Sequence, residues 1–203
     1  MNRYKLIIGI LFMTLSGGKL WSQQGVFKLD VNYKAAIPLG NFRNVVSNTS
    51  GRGWDAAVMY GVSDKVSIGL GTGSQDFYQK YARQVLHESG SDLSAVITNS
   101  IQTAPVLAKG KYSFTQSGFL QPFAAVGAGA NFIHYRKYYG EFVDEDSRVG
   151  FAAQGELGLQ VPFGSSRVSG FHISAGYSYM PYKFNDVNGL NNVFFKAGLT
   201  FGL

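Results

Sequence analysis

Residues 192–203 read NVFFKAGLTFGL, and their side chains alternate between two sets. The apolar set is Val193, Phe195, Ala197, Leu199, Phe201 and Leu203; the mostly polar or small set is Asn192, Phe194, Lys196, Gly198, Thr200 and Gly202. Successive side chains of a β-strand point to opposite faces, so a period of two separates these sets. The segment therefore predicts a strand with one wholly apolar face.

Seven earlier segments repeat this alternation, at 27–37, 54–62, 66–73, 101–114, 119–134, 149–163 and 171–180. The connections between the eight segments also alternate, being long at 38–51, 78–97, 137–147 and 182–191 and shorter at 63–65, 116–118 and 164–170. Outer-membrane barrels have short periplasmic turns and longer outside loops. The pattern predicts an all-β fold, an eight-stranded antiparallel up-and-down transmembrane β-barrel with both termini on the periplasmic side.

Two prolines lie inside the proposed strands, Pro105 and Pro122. Proline has no N–H to donate to a neighbouring strand and is confined to edges, strand starts or bulges. We therefore expect the chain to bulge at these positions or the strands to begin after them.

The composition suits exported β-structure. Only 15% of the residues are charged, 26 are glycine and none is cysteine, which excludes disulfides and thiolate metal sites. Arg3 and Lys5 precede an apolar run at 6–15, and small or polar residues follow up to Ser22, as in a cleavable signal. We expect a signal peptide at 1–22 and one barrel domain at 23–203.

Removing the signal changes the charge balance. The signal holds three of the 18 basic residues and none of the 12 acidic ones, so the net charge falls from +6 to +3. No basic stripe is present, and we therefore predict no binding to nucleic acid.

The polar set decides which way the faces point. We predict that nine of its members line the lumen: Lys28, Asp30, Lys34, Asp55, Lys109, Lys111, Glu156, His172 and Lys196. Bare charges in a low-dielectric interior are costly, so mixed charges predict ion pairing and a plugged or very narrow lumen. Glycines on this face would let longer side chains cross the bore.

Aromatic residues of the apolar set cluster near both ends of the strands. Those expected at one rim are Phe27, Tyr60, Tyr112, Phe114, Phe163 and Phe201, and those at the other are Trp54, Phe151, Tyr179 and Phe195. Two aromatic belts around an apolar band are typical of outer-membrane barrels. The alternative is a soluble lipocalin-like barrel, whose narrow eight-stranded interior would have to hold these rings.

The signal, the eight alternating segments and the last strand, FFKAGLTFGL at 194–203, resemble the small OmpA/OmpX-type outer-membrane barrels over the whole mature chain. The resemblance implies an outer-membrane location, contact with membrane lipid and lipopolysaccharide, and recognition of the last strand by the barrel assembly machinery. We expect a monomer.

Little in the sequence indicates catalysis. His172 and Ser174 resemble the first part of the His-x-Ser-Asn motif of outer-membrane lipid A deacylases, but Ala175 replaces the Asn. Asp186 is a candidate acid for such a hydrolase. We favour ordinary lumen residues and predict no enzyme, no metal site and no cofactor. The leading hypothesis is a structural or surface-interaction role through the outside loops; the alternatives are a lipid-modifying hydrolase and a narrow channel.

Overall fold

A computed structural model describes residues 25–88, 91–139, 142–163, 168–184 and 187–203. Within them, eight antiparallel strands form a closed barrel: β1 (Phe27–Pro38), β2 (Ser50–Gly61), β3 (Val66–Glu88), β4 (Ser91–Ser113), β5 (Gln121–Tyr139), β6 (Phe142–Pro162), β7 (Gly170–Tyr179) and β10 (Asn192–Gly202). Around the ring they follow the order β1-β10-β7-β6-β5-β4-β3-β2. This confirms the predicted fold class. The predicted signal and Asp186 lie outside the described residues.

The pairing of the first and last strands closes the ring. It runs in unbroken register from Lys28 opposite Gly202 to Pro38 opposite Asn192. The N–H of Gly25 donates to the carbonyl of Gly61 and the N–H of Leu203 donates to the carbonyl of Phe27, both at 2.9 Å or less. Both described chain ends therefore lie at one end of the barrel, with the short connections. We call this the terminus end, and the opposite one the loop end.

Four strands are longer than the sequence analysis predicts. β3 and β4 pair as far as Glu88 opposite Ser91, and β5 and β6 pair as far as Tyr139 opposite Phe142. The loops expected at 78–97 and 137–147 are therefore wrong, because most of these residues are strand. Their hydrogen-bonded ladders continue after the simple alternation of apolar residues has ended.

The extra length forms a sheet that rises above the rest of the ring. β2 pairs with β3 only as far as Arg52 opposite Asp76, and β7 pairs with β6 only as far as Tyr179 opposite Ala153. Beyond these pairs, β3, β4, β5 and β6 pair only with one another. We call this four-stranded sheet, residues 77–88, 91–101, 130–139 and 142–152, the extension.

The other two long connections also contain secondary structure. The connection expected at 38–51 holds a short helix, α1 (Asn41–Val45), and ends where β2 begins at Ser50. The one expected at 182–191 holds a small hairpin of β8 (Lys183–Phe184) and β9 (Val187–Asn188). No helix among the described residues is long and apolar enough to span a membrane.

The two interior prolines are accommodated without a bulge. Pro105 pairs with Asn131 of β5, while the β3–β4 register has no pairs between Thr72–Val106 and Gln75–Thr103. Pro122 is the second residue of β5, and its carbonyl accepts a hydrogen bond from the N–H of Phe114. Each missing N–H thus falls at a gap in a ladder or at a strand start, as proline requires.

The outer wall is apolar and the charged residues are inside. Leu70, Val126 and Leu157 are each 66–67% exposed, whereas Lys34, Asp55 and Lys196 are at most 4% exposed. The aromatic residues predicted for both rims are all exposed. A soluble barrel has the opposite arrangement, so the lipocalin-like alternative is wrong.

Glycines on the inner wall make room for large side chains. A Cβ atom at Gly158 would collide with the ring of Phe123 and would lie 2.6 Å from the carbonyl oxygen of Ile173. A Cβ atom at Gly176 would lie 2.6 Å from the ring of Phe194. Eight strands leave a bore just wide enough for side chains, so each inward aromatic ring needs a small residue facing it.

This packing predicts that alanine substitution destabilises the barrel at one glycine of β6 and not at another. Gly158→Ala should destabilise the folded barrel by about 1–3 kcal/mol, because the added methyl overpacks the interior. Gly155→Ala is the matched control, because its Cβ atom would meet nothing within 4 Å. Urea titration followed by heat-modifiable gel mobility measures both, and equal midpoints for the two variants would contradict the packing.

Candidate functional site: the closed lumen

The nine side chains predicted for the lumen lie on the inner wall. Asp30, Lys34, Asp55, His172 and Lys196 are buried. The other four, Lys28, Lys109, Lys111 and Glu156, are partly buried. Contacts among these residues join strands that are not neighbours in the ring, which is possible only across the bore. The structure thus brings the predicted residues together, while their functional role stays a prediction.

A network of ion pairs crosses the bore near the middle of the barrel. Lys109 Nζ lies 3.0 Å from Asp55 Oδ1, and Lys196 Nζ lies 3.3 Å from the same oxygen. Lys196 Nζ also lies 2.8 Å from Glu156 Oε2. These four residues belong to β2, β4, β6 and β10, so the network ties together opposite sides of the wall. We call it the charge network.

A second polar group lies toward the terminus end. Thr200 Oγ1 donates a 2.5 Å hydrogen bond to Asp30 Oδ1 and lies 3.2 Å from His172 Nδ1. Lys111 Nζ donates to Gln160 Oε1 at 3.1 Å and sits 4.3 Å from the centre of the Phe123 ring. The cavity between this group and the charge network measures only about 20 Å³. The bore is therefore packed with side chains here.

Phe194 marks the boundary between the polar and apolar parts of the lumen. Its ring centre lies 4.8 Å from Lys34 Nζ and 4.7 Å from Lys196 Nζ, so two ammonium groups contact one ring. The face of the ring attracts each ammonium group, and burial away from water strengthens this attraction. Toward the loop end, most of the inward side chains are apolar, with a few buried amides such as Gln75 and Asn131 among them.

The loop end is filled by an apolar cluster that the sequence analysis missed. It is built from inward residues of the strands and from residues of the two long connections: Ala36, Phe42, Val45, Val46, Phe77, Ile101, Leu107, Ile133, Tyr135, Ala152, Met180, Tyr182, Val187, Leu190 and Phe194. We call this cluster the plug. The charged residues predicted for the lumen therefore do not account for the filling of the loop end.

Helix α1 supplies one side of the plug. Gly40, with φ of 59°, turns the chain inward before the helix, a backbone conformation that favours glycine. Phe42 then packs edge-on against Phe77, with ring centres 4.8 Å apart, and Tyr81 donates a 2.7 Å hydrogen bond to the carbonyl of Val45. The signal for this element was present: apolar residues at 42, 45 and 46 have helical spacing.

The β7–β10 connection supplies the other side. Val187 and Leu190 are fully buried in the plug. Tyr182 donates a 2.9 Å hydrogen bond from its hydroxyl to Asp146 Oδ2 of the extension. Burial, together with this hydrogen bond, raises the pKa of Tyr182, so the hydroxyl stays protonated and remains a donor. The connection is thereby fixed to the extension.

A layer of uncharged polar residues lies on the loop-end side of the charge network. Gln154, Ser178 and Asn192 are opposite one another on β6, β7 and β10. Both side-chain amide atoms of Gln154, the Ser178 hydroxyl and the Asn192 carbonyl have no hydrogen-bond partner among the described residues. Buried polar atoms of this kind commonly bind internal water.

The residues considered for hydrolysis point into the bore. His172 is 4% and Ser174 is 8% exposed, and Ser174 Oγ donates to Glu156 Oε2 at 3.4 Å. The two side chains are thus on the opposite face of the wall from membrane lipid. Within the described part of the chain, no three His, Asp or Glu side chains are placed to hold a metal ion.

Comparisons with known proteins agree on the architecture. No protein-family model matches the chain, and no curated protein sequence matches it. Among solved structures, the chain is similar to Neisserial surface protein A, with a TM-score of 0.51 and 12% identity over 86% of this chain and 94% of that one. It is similar to the outer-membrane protein OprG of Pseudomonas aeruginosa, with a TM-score of 0.51 and 13% identity over 89% and 97%.

This chain has the fold of the small outer-membrane β-barrels. Identities this low show a shared fold and nothing about a shared role. Together with the exposed apolar band, the fold confirms the predicted outer-membrane location.

The charge network predicts that replacing Asp55 costs far more folding stability than replacing Asp76. Asp55→Asn leaves Lys109 and Lys196 short of a buried partner and should cost about 3–5 kcal/mol of stability. Asp76→Asn is the control: its partner Arg52 is 70% exposed at 3.6 Å, and exposed pairs contribute less than about 1 kcal/mol. Urea unfolding in lipid vesicles, followed by tryptophan fluorescence, measures both. Equal shifts would refute a structural role for the network.

Proposed function

We propose that this outer-membrane barrel is closed to solutes and acts through the surface of its extension. The observation that carries the proposal is the filled lumen. The charge network and the plug block the bore in series, and the cavity lined by the charged residues is about 20 Å³. A cavity needs about 10–15 Å³ to hold one water molecule, so this space admits about one water and is too small for a dissolved nutrient.

The orientation of the barrel supports a role outside the cell. Short turns of outer-membrane barrels are periplasmic and long connections are external. The extension, which belongs to the loop end, would then stand on the cell surface. Its strands continue beyond the apolar band, although the band alone is enough to cross the membrane.

The expected partners follow from this placement. The apolar outer wall would contact membrane lipid, and the part of the extension near the band would contact lipopolysaccharide. The alternating last strand at 192–203 would be recognised by the barrel assembly machinery. We propose a monomer, because the closed ring leaves no unpaired strand edge within the band.

An enzymatic role has less support. A lipid hydrolase needs its nucleophile and base at the outer wall, where membrane lipid can reach them. His172 and Ser174 are buried inside and bonded to other lumen residues. Thr200, which lies between Asp30 and His172, is fully buried. We therefore propose that the protein is not an enzyme.

A narrow channel is the second candidate, and one observation favours it. Gln154, Ser178 and Asn192 carry buried polar atoms without partners in the described chain. If the plug shifted, this layer and the charge network would form a polar path through the bore.

Conductance separates the two candidates. In planar bilayers the purified protein should give no stable open steps, because apolar and charged side chains fill both halves of the bore. An established porin, reconstituted in the same way, is the positive control. Stable single-channel steps whose size changes in Lys109→Gln would support the channel and contradict the closed barrel.

Cysteine labelling tests the orientation. The chain contains no cysteine, so single variants can be labelled without background. Val143→Cys, in the extension and 49% exposed, should react in intact cells with a maleimide coupled to a large polyethylene glycol. Ser63→Cys, in an exposed turn of the terminus end, should react only after the outer membrane is permeabilised. The reverse result would put the extension in the periplasm and refute a surface role.

A further inference from the structure

The outer face of the extension carries a groove of about 520 Å³. It is lined by Tyr78, Lys80, Val96, Thr98, Ser100 and Tyr138. Tyr78 is 42% exposed, and Lys80 is exposed. The groove lies on the side of the sheet away from the plug and takes no part in closing the lumen, so its aromatic and basic side chains are available to a ligand.

The groove lies just above the apolar band. A second groove of about 410 Å³ lies lower on the same face, where Ala104, Phe132 and Val149 meet His134 and Ser147. Phe132 and Val149 are 52% and 67% exposed, so lipid reaches this level. Moving along the wall, a ligand would therefore meet apolar side chains, then polar ones with Arg148 beside them, and then tyrosines with a lysine.

This order matches the cross-section of a glycolipid, which has acyl chains, then a polar linkage, then sugars. Tyrosine offers a flat apolar ring face and a polar hydroxyl, which together suit a sugar ring. Thr98 and Ser100 add small hydroxyl groups that both donate and accept hydrogen bonds.

The charged groups beside the groove favour an anionic ligand. Among the described residues Lys80 has no ion-pair partner, whereas Arg52 pairs with Asp76 at 3.6 Å. The guanidinium of Arg52 also lies 5.8 Å from the centre of the Tyr78 ring. Lysine is a compact point charge that suits phosphate.

We infer that the groove at Tyr78, Lys80 and Tyr138 binds the sugar–phosphate headgroup of a phosphorylated glycolipid in the outer leaflet of the same membrane. The inference rests on the proposed orientation of the barrel. A glycolipid fits better than a soluble partner, because the groove opens sideways from the wall, directly above the lipid-facing band, and bears a cation.

The test measures glycolipid binding by the detergent-solubilised full chain, using native mass spectrometry. The probe is a purified phosphorylated lipopolysaccharide with a short sugar core, and phosphatidylglycerol is the anionic lipid without an oligosaccharide. Tyr78→Ala combined with Tyr138→Ala should weaken lipopolysaccharide binding roughly tenfold, because two ring contacts are lost. Lys80→Gln should also weaken it, and more so at low salt.

Matched controls lie at the other end of the barrel. Tyr112→Ala and Lys65→Gln remove an exposed ring and a lysine near the terminus end and should leave lipopolysaccharide binding unchanged. Heat-modifiable mobility verifies that each variant is folded. Phosphatidylglycerol binding should not respond to the tyrosine changes, because the rings are proposed to recognise sugar.

Two results would overturn the inference. One is equal lipopolysaccharide affinity in the groove variants and the controls; the other is an equal loss of phosphatidylglycerol binding, which would indicate a general lipid contact. Either result, with Val143→Cys still labelled in intact cells, would reject the groove and keep the proposed surface role. Labelling only from the periplasmic side would reject both.

Discussion

The structure depends on the closure of its sheet, because lipid offers no hydrogen bonds to an unpaired backbone. Up to Asp76 of β3 and Ala153 of β6 every strand has a neighbour on both sides, and the β1–β10 pairing completes the ring. Only a closed barrel lets β-strands cross a bilayer at acceptable cost. Closure then constrains the pattern of residues. Every second side chain faces lipid and must be apolar, and the others must fit the narrow bore that eight strands leave.

The narrow bore is filled with two kinds of chemistry. Near the middle, Asp55 and Glu156 neutralise lysines from other strands, which lowers the cost of keeping charges away from water. Toward the loop end, the filling is mostly apolar and comes from both the strands and the connections, with Phe42 and Leu190 reaching into the barrel. Phe194 suits the junction, because its ring packs in the plug and faces two ammonium groups. Each half therefore resists water by a different means.

The parts of the molecule that contact lipid were predictable from sequence, and the parts above lipid were not. The alternation at 192–203 is strict because both faces of β10 have fixed surroundings, so its two faces could be inferred. Residues 78–83 of β3 have water or plug beside them and obey no such rule, and they were predicted as part of the loop at 78–97. Lys109 and Lys196 were recognisable as inward residues. Their shared partner, Asp55, could not be predicted, because it depends on the register of several strands, which the alternation within one strand does not determine.

The extension has two edges without a strand partner, and both are protected, which leaves its outer face for interaction. Exposed edges invite pairing with other chains unless charges, irregularities or loops cover them. On the β3 edge, Gln79 Oε1 accepts hydrogen bonds from Ser47 and Asn48, and the register shifts between Lys80 and Arg83. On the β6 edge, Asp146 is bonded to Tyr182 and Arg148. Edge pairing is thus disfavoured on both sides, and the broad face bearing Tyr78 and Tyr138 is the surface that the fold leaves open.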